Sequence, residues 1–535
     1  MGIVRVVLVV GVLATLVWLV ERAGRPAART PGGGVAGVDR ARVGETVDAL
    51  DRKLEEEWGR HGLKGADEAD ALTVARRVSL ALHGTIPSLE ELARLRADRD
   101  PEVLERWVQG RLADRRFEEY FAERLARTVV GTDGGQFLVF RRDRLVEWLA
   151  LELRADRPWT EIVRALVAEK GLWTGRPATN FITQAVEQDK LDRLKLAGRT
   201  VRAFLGQRID CAQCHDHPFA AWKQSQFEGL AAFYGGVHTS GIGVADGNDK
   251  LEVEDRKTLK KRKVDPSVPY APELLPQAGT QRERLAAWLT APTNRRFARA
   301  LANRVWGFMF GKPLHAPVDD LPDPPAGTHD ALDVLADDLA ANHYSIRRLV
   351  RVIAASRAFR AASVSAETDP AKLAKLEESF AVFPLVRLRP EQVVGGMLQA
   401  NAIKTVDRNA NLLQRFVRFI RESDFVKHYG DFGDTELDER GGTIPQRLLM
   451  LNGKMVRELI EPNPFTSTLR ISALATDDAE CLDFTFLACL TRLPTPDEKT
   501  QLLPALASTH GDEHHHVIED LFWTLLNSTE FSWNH

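Results

Sequence analysis

Seven consecutive residues, Cys211-Ala212-Gln213-Cys214-His215-Asp216-His217, place two thiols, two imidazoles and a carboxylate within one turn of chain. Thiols three positions apart can each form a thioether to one porphyrin vinyl group while the adjoining imidazole ligates the iron, which is the attachment pattern of a c-type haem. On this reading Cys211 and Cys214 tether haem c and His215 is the proximal iron ligand, with Asp216 or His217 tuning the potential by hydrogen bonding around it. The next methionine is Met309, far downstream, so the iron is expected to be five-coordinate or to take His217 or His238. His217 is a weak candidate, because an imidazole two residues from the proximal one does not easily reach the opposite face of the ring. The same residues support two other readings. Zinc would take Cys211, Cys214 and one or both of His215 and His217, completed by a remote histidine or carboxylate. A disulfide between Cys211 and Cys214 would need no cofactor.

A second set of chemical groups lies in Pro317-Val318-Asp319-Asp320, with His315 and His329 nearby. Adjacent carboxylates with imidazoles can hold a divalent cation or act as acid and base. The plainer reading is that they cap helices and order a proline-rich loop. Arg304 and Trp306 on the preceding helix read as a carboxylate partner and a core residue. His514-His515-His516, with His510, could chelate a transition metal, but successive residues on a helix do not converge on one point. The chain contains no G-x-S-x-G elbow, phosphate-binding loop, dinucleotide fingerprint or H-E-x-x-H, so ordinary serine hydrolase, kinase and dehydrogenase readings lose their usual support.

The compartment follows from the N-terminus. Residues 6–20 are apolar apart from Thr15, followed by Glu21, Arg22 and Arg25. No A-x-A site follows, which favours a signal anchor over a removed signal peptide across residues 1–22. Covalent haem attachment takes place outside the cytoplasm, so the expected location is the cell envelope, held at the cytoplasmic membrane facing the periplasm or released into it. Net charge −3, 27% charged and 44% hydrophobic residues are ordinary globular values, with no basic excess to recruit nucleic acid. Cys481 and Cys489, eight residues apart on a helical pattern, would stand about 12 Å apart, too far for a disulfide, and read as core thiols.

The elements that must position these groups are mainly α-helical. Residues 23–45, with Pro26, Pro31 and Gly32-Gly33-Gly34, read as a flexible tether. Residues 46–240 form a first helical body carrying the cysteine motif, with a capping box at Ser88 and Glu91. Residues 241–280, rich in glycine, proline and charge, form an irregular connection with a small β hairpin around residues 251–253. A second helical body occupies residues 281–535. There Leu332, Leu335 and Leu339, then Ile346, Leu349 and Ile353, trace two amphipathic faces separated at residues 342–345. Thr495-Pro496-Asp497-Glu498 marks another helix start.

Several stretches together carry a resemblance. They are RVSLALHGTIPS from Arg77, residues 148–159, AFLG from Ala203 leading into CAQCHDHPF, and residues 222–236. In the second half they are RERLAAWLTAPTNRRFARALANRVWGFMFGKPL from Arg282, HAPVDDLPDPP from His315, residues 387–397 and the closing FWTLLNSTEFSWNH. The chain resembles the paired domains of unknown function common in planctomycete bacteria, a cytochrome-c-like domain and its usual C-terminal companion. The resemblance implies an exported, largely helical protein of unassigned activity. Family members often carry a separate cytochrome domain upstream, where only the anchor and tether are expected here, and the stretch after Asp320 is shorter than the family's.

Three functions follow as expectations. The first is a membrane-held c-type haem protein transferring electrons to or from a redox partner or other envelope protein. The second is a non-haem envelope enzyme hydrolysing a polymer or polysaccharide, with Asp319, Asp320 and His329 as acid, base or metal groups. The third is a structural interaction protein whose cysteine pair is a staple or metal site.

Overall fold

The computed structural model describes residues 36–132, 140–188, 190–216, 222–240, 243–254, 260–322, 327–406, 429, 437, 443–453 and 467–535. Residues 1–22, read as an anchor, lie outside them, as does His217. No helix among the described residues is long and apolar enough to cross a membrane.

The fold is mainly helical, and local sequence explains where its helices start and stop. A helix over Ala36–Arg60 begins inside the stretch expected to be a tether as far as residue 45. No proline follows Pro31 in this region, and Val43, Leu50, Leu54 and Trp58 form a buried stripe that outweighs the helix cost of Gly37 and Gly44. Asp70 caps Ala71–His83 by accepting from the Leu72 and Thr73 amides, and Gly84 ends it in the left-handed conformation at φ 64°. The capping boxes at Ser88/Glu91 and Thr495/Glu498 are both formed. The helices Ala331–Ala341 and Ile346–Ala355 are divided where expected, with His343 and Tyr344 at φ 56° and 54°.

Strands are few and short, each in a two-stranded antiparallel pair. The hairpin expected near residue 251 pairs Leu251–Glu254 with Lys261–Val264. A second hairpin just before it pairs Val237–Ser240 with Gly243–Asp246.

Residues Arg42–His535 pack as one compact unit. Two separate helical bodies were expected on either side of residues 241–280, yet the larger core draws on both sides of that connection. The reason lies in the helix Arg295–Phe310, which is buried on nearly all faces. Phe308 meets Phe121 edge-on at 5.4 Å between ring centroids, and Arg124 lies 4.0 Å over the Phe308 ring. On another face Trp306 stacks on Phe310 at 4.3 Å, and Phe310 contacts Phe359, Phe380 and Phe383. Arg282 crosses the connection to donate to the carbonyls of Val167 and Glu169 at 3.0 and 2.9 Å. A smaller core joins Leu80 and Ile86 to residues between Leu388 and Phe531.

Candidate functional site

The cysteine motif sits on a short turn between two helices. Asp192 starts the helix Arg193–Leu205 by accepting from the Lys195 amide at 2.9 Å, and Gly206 ends it at φ 61°. A Cβ at Gly206 would stand 3.0 Å from Leu321 Cδ1 and 3.3 Å from Ala300 Cβ, so both the backbone angle and the space require glycine. Gly206→Ala should cost about 1–2 kcal/mol of stability through its left-handed angle alone, read as a lower urea midpoint at unchanged slope.

Beyond Gly206 the chain turns through a 3-10 helix over Asp210–Gln213. Ile209 and Ala212 are fully buried and pin the turn, and the Ala212 amide donates to the Ile209 carbonyl at 2.9 Å. Gly198 on the preceding helix admits the Asp210 carboxylate, which a Cβ there would meet at 2.7 Å. Cys211 lies in this 3-10 helix and Cys214 directly follows it; both are exposed and neither forms a disulfide.

His215 is exposed beside them, with Nδ1 2.7 Å from the Asp216 carbonyl oxygen. A carbonyl can only accept, so Nδ1 carries a proton, and in the neutral ring the lone pair falls to Nε2. That is the tautomer a metal-ligating imidazole needs, with its other nitrogen held by a backbone carbonyl. Asp216 in turn accepts from the Gln224 amide at 2.8 Å, tying the motif to the start of the helix Gln224–Ala232. Among the distal candidates, Met309 is buried at 1% exposure within the larger core, and His238 is paired with Asp249 at 2.9 Å. Cys481 and Cys489 are buried, and burial pushes the Cys481 thiol up to about 12 and Cys489 higher still.

Asp319 and Asp320 share one partner residue, Arg208, while His329 takes another. Asp319 pairs with the Arg208 guanidinium at 2.9 Å, Asp320 accepts from the Arg208 amide at 3.2 Å, and His329 pairs with Asp337 at 2.9 Å. His315 pairs with Asp330 at 3.1 Å, while its own amide and carbonyl are both bonded by the Asn303 side chain. Asp330 caps Ala331–Ala341 in a box with Asp333. Burial pushes the Asp330 carboxyl up, but His315 and Arg299 outweigh it and hold the group well below the usual carboxylate range. Asp330 thus caps a helix, while Asp319 and Asp320 tie their loop to Arg208. Arg304 donates to Thr128 Oγ1 at 3.4 Å. His514 and His516 turn to different acids, Asp478 at 3.0 Å and Glu519 at 3.1 Å. Among the described residues no group of three or more histidine, cysteine and acidic side chains converges as a metal site.

A surface cavity of about 520 Å³ lies away from both sets, lined by Arg157, Arg164, Lys170, Arg176 and three glutamates. Its charges are largely matched, Arg157 to Glu161 at 2.9 Å and Arg176 to Glu169 at 3.2 Å. Sequence reasoning passed over Arg208, which has no motif of its own; its only signal is its place three residues before Cys211.

Fold and motif together define a mainly helical protein presenting a Cys-x-x-Cys-His turn to solvent. Residues 49–239 match the family model described as PSCyt2, protein of unknown function (DUF1549), and residues 281–416 match PSD1, protein of unknown function (DUF1553). The chain belongs to the proteins that carry these two paired domains, and the matched stretches lie either side of the connection at residues 241–280. No curated protein and no solved structure matches it.

Proposed function

We propose that this protein carries one covalently attached c-type haem on the Cys211–His215 turn and transfers electrons in the cell envelope, held to the membrane by residues 1–22. The observation that carries the reading is the His215 geometry: Nδ1 donates to the Asp216 carbonyl and leaves Nε2 as an available ligand atom, beside two exposed thiols free of any disulfide. Cys211 and Cys214 would hold the haem through thioethers, and His215 would take the proximal position. When bound, the haem supplies a one-electron ferric–ferrous couple, the electron arriving from and leaving to partner proteins.

The rest is the work of this chain. Ile209 and Ala212 fix the turn to the core and leave both thiols exposed to solvent. The Asp216 carbonyl fixes the tautomer of His215, and the Asp216 carboxylate anchors that end of the turn on Gln224. Because the turn faces solvent, a group held there lies within reach of a docking partner.

The test is an absorption spectrum of the full chain exported in a host with cytochrome c maturation, with haem staining after denaturing electrophoresis. A reduced α band of the c type and stain that survives denaturation are expected. A colourless protein would overturn the proposal, and metal analysis with a thiol count would then separate zinc from a disulfide.

A further inference from the structure

The cysteine turn and the Asp319-Asp320 pair, read from the sequence as two rival sites, meet in the fold. Three consecutive residues of one loop, Asp319 to Leu321, grip two residues of the other, Gly206 and Arg208. The Leu321 amide donates to the Gly206 carbonyl at 2.6 Å, Asp320 accepts from the Arg208 amide at 3.2 Å, and Asp319 pairs with the Arg208 guanidinium at 2.9 Å. Leu321 also packs against Gly206, where any side chain would intrude. Arg208 stands three residues before Cys211, and the two loops belong to different matched stretches.

We propose that Asp319 and Asp320 are positioning residues for the Cys-x-x-Cys-His turn, acting through Arg208 to fix the stem from which Cys211, Cys214 and His215 project. An isolated exposed ion pair would contribute little to such a role. Here Asp319 is only 13% exposed, and the neighbouring carboxylate takes a backbone amide rather than a mobile side chain. The stem is thus held by main-chain as well as side-chain contacts. The far end of the turn is held independently, by Asp216 on Gln224. With both ends fixed, the orientation of the ligand set depends on residues from the second matched stretch. The geometric part of this proposal stands on these contacts, and its consequence for the iron rests on the haem reading above.

The experiment uses the full chain with Asp319→Asn, with Asp320→Asn, and with the swapped pair Arg208→Asp, Asp319→Arg. Amide hydrogen exchange is followed by mass spectrometry over residues 206–216 and, as an internal control, over the buried helix Asp478–Leu490. Each single variant is expected to speed exchange in residues 206–216 about tenfold, the size of losing one charge-assisted hydrogen bond, while the control helix is unchanged. The swapped pair should return most of that protection relative to Asp319→Arg alone. In haem-loaded protein, Asp319→Asn should also shift the midpoint potential, which a loop of purely structural importance would not do. Unchanged exchange in both single variants, or an equal rise in the control helix, would overturn the positioning role. A wild-type chain without haem would overturn the haem reading instead, and the exchange result would stand apart from it.

Discussion

A Cys211→Ser, Cys214→Ser double variant, exported alongside cytochrome c maturation, is expected to leave no haem stain after denaturing electrophoresis, while folding as the parent does. Both cysteines are exposed on a turn pinned by Ile209 and Ala212, so exchanging sulfur for oxygen removes the thioether chemistry without touching the core. Each single variant should keep a partial signal, since one thioether still tethers the ring, and a His215→Ala variant should lose the low-spin spectrum more completely than it loses stain. His215 sits outside the core and bonds only its neighbour's carbonyl in the described contacts, so its loss should not register in a urea melt. Stain retained by the double variant would place any haem elsewhere in the chain.

The largest loss of stability is expected at Arg77. Its side chain is fully buried, and burial pushes it down to about 9. Nη1 donates to the carbonyls of Phe359 and Ala361 at 2.9 and 2.7 Å, Nε to the main-chain oxygen of His535 at 2.7 Å, and Nη2 to Ser363 Oγ at 3.2 Å. The guanidinium also lies 3.7 Å over the Phe383 ring. Arg77→Ala leaves these acceptors buried without donors and opens a void, which should cost about 3–5 kcal/mol. Arg77→Met keeps the apolar bulk and isolates the lost donors, so most of the penalty should persist in a urea titration. A loss below about 1 kcal/mol for Arg77→Met would mean that those carbonyls find other partners. The neighbouring Arg76 reaches the carbonyls of Cys489 and Phe531 at 3.4 and 3.3 Å, so this one helix ties the larger core to the smaller.

How much of this was legible in the sequence depends on the distance over which each contact acts. Ser88 with Glu91, and Thr495 with Glu498, declare helix starts because both partners lie within one turn. The break at residues 342–345 and the hairpin after Leu251 are local in the same sense. The burial of Cys481 and Cys489 follows from their apolar neighbours. The start of the first helix at Ala36 was misread because glycines suggested a tether, whereas the stripe from Val43 to Trp58 pays for them by packing against residues far along the chain. Nothing local reveals that Arg76 and Arg77 end among main-chain oxygens, so neither carried a reading from the sequence.

The sequence by itself determined the mainly helical class, the paired domains and the Cys-x-x-Cys-His turn proposed to hold a haem, because helix periodicity, caps and the spacing of two thiols and an imidazole are properties of a few consecutive residues. Only the tertiary structure decided that the helix Arg295–Phe310 would join both halves in one core, and that Asp319 and Asp320 would face Arg208 rather than His329. Those outcomes depend on groups such as Arg208 and Asp320, 112 residues apart, whose meeting is set by how whole helices pack and not by any pattern in the chain between them.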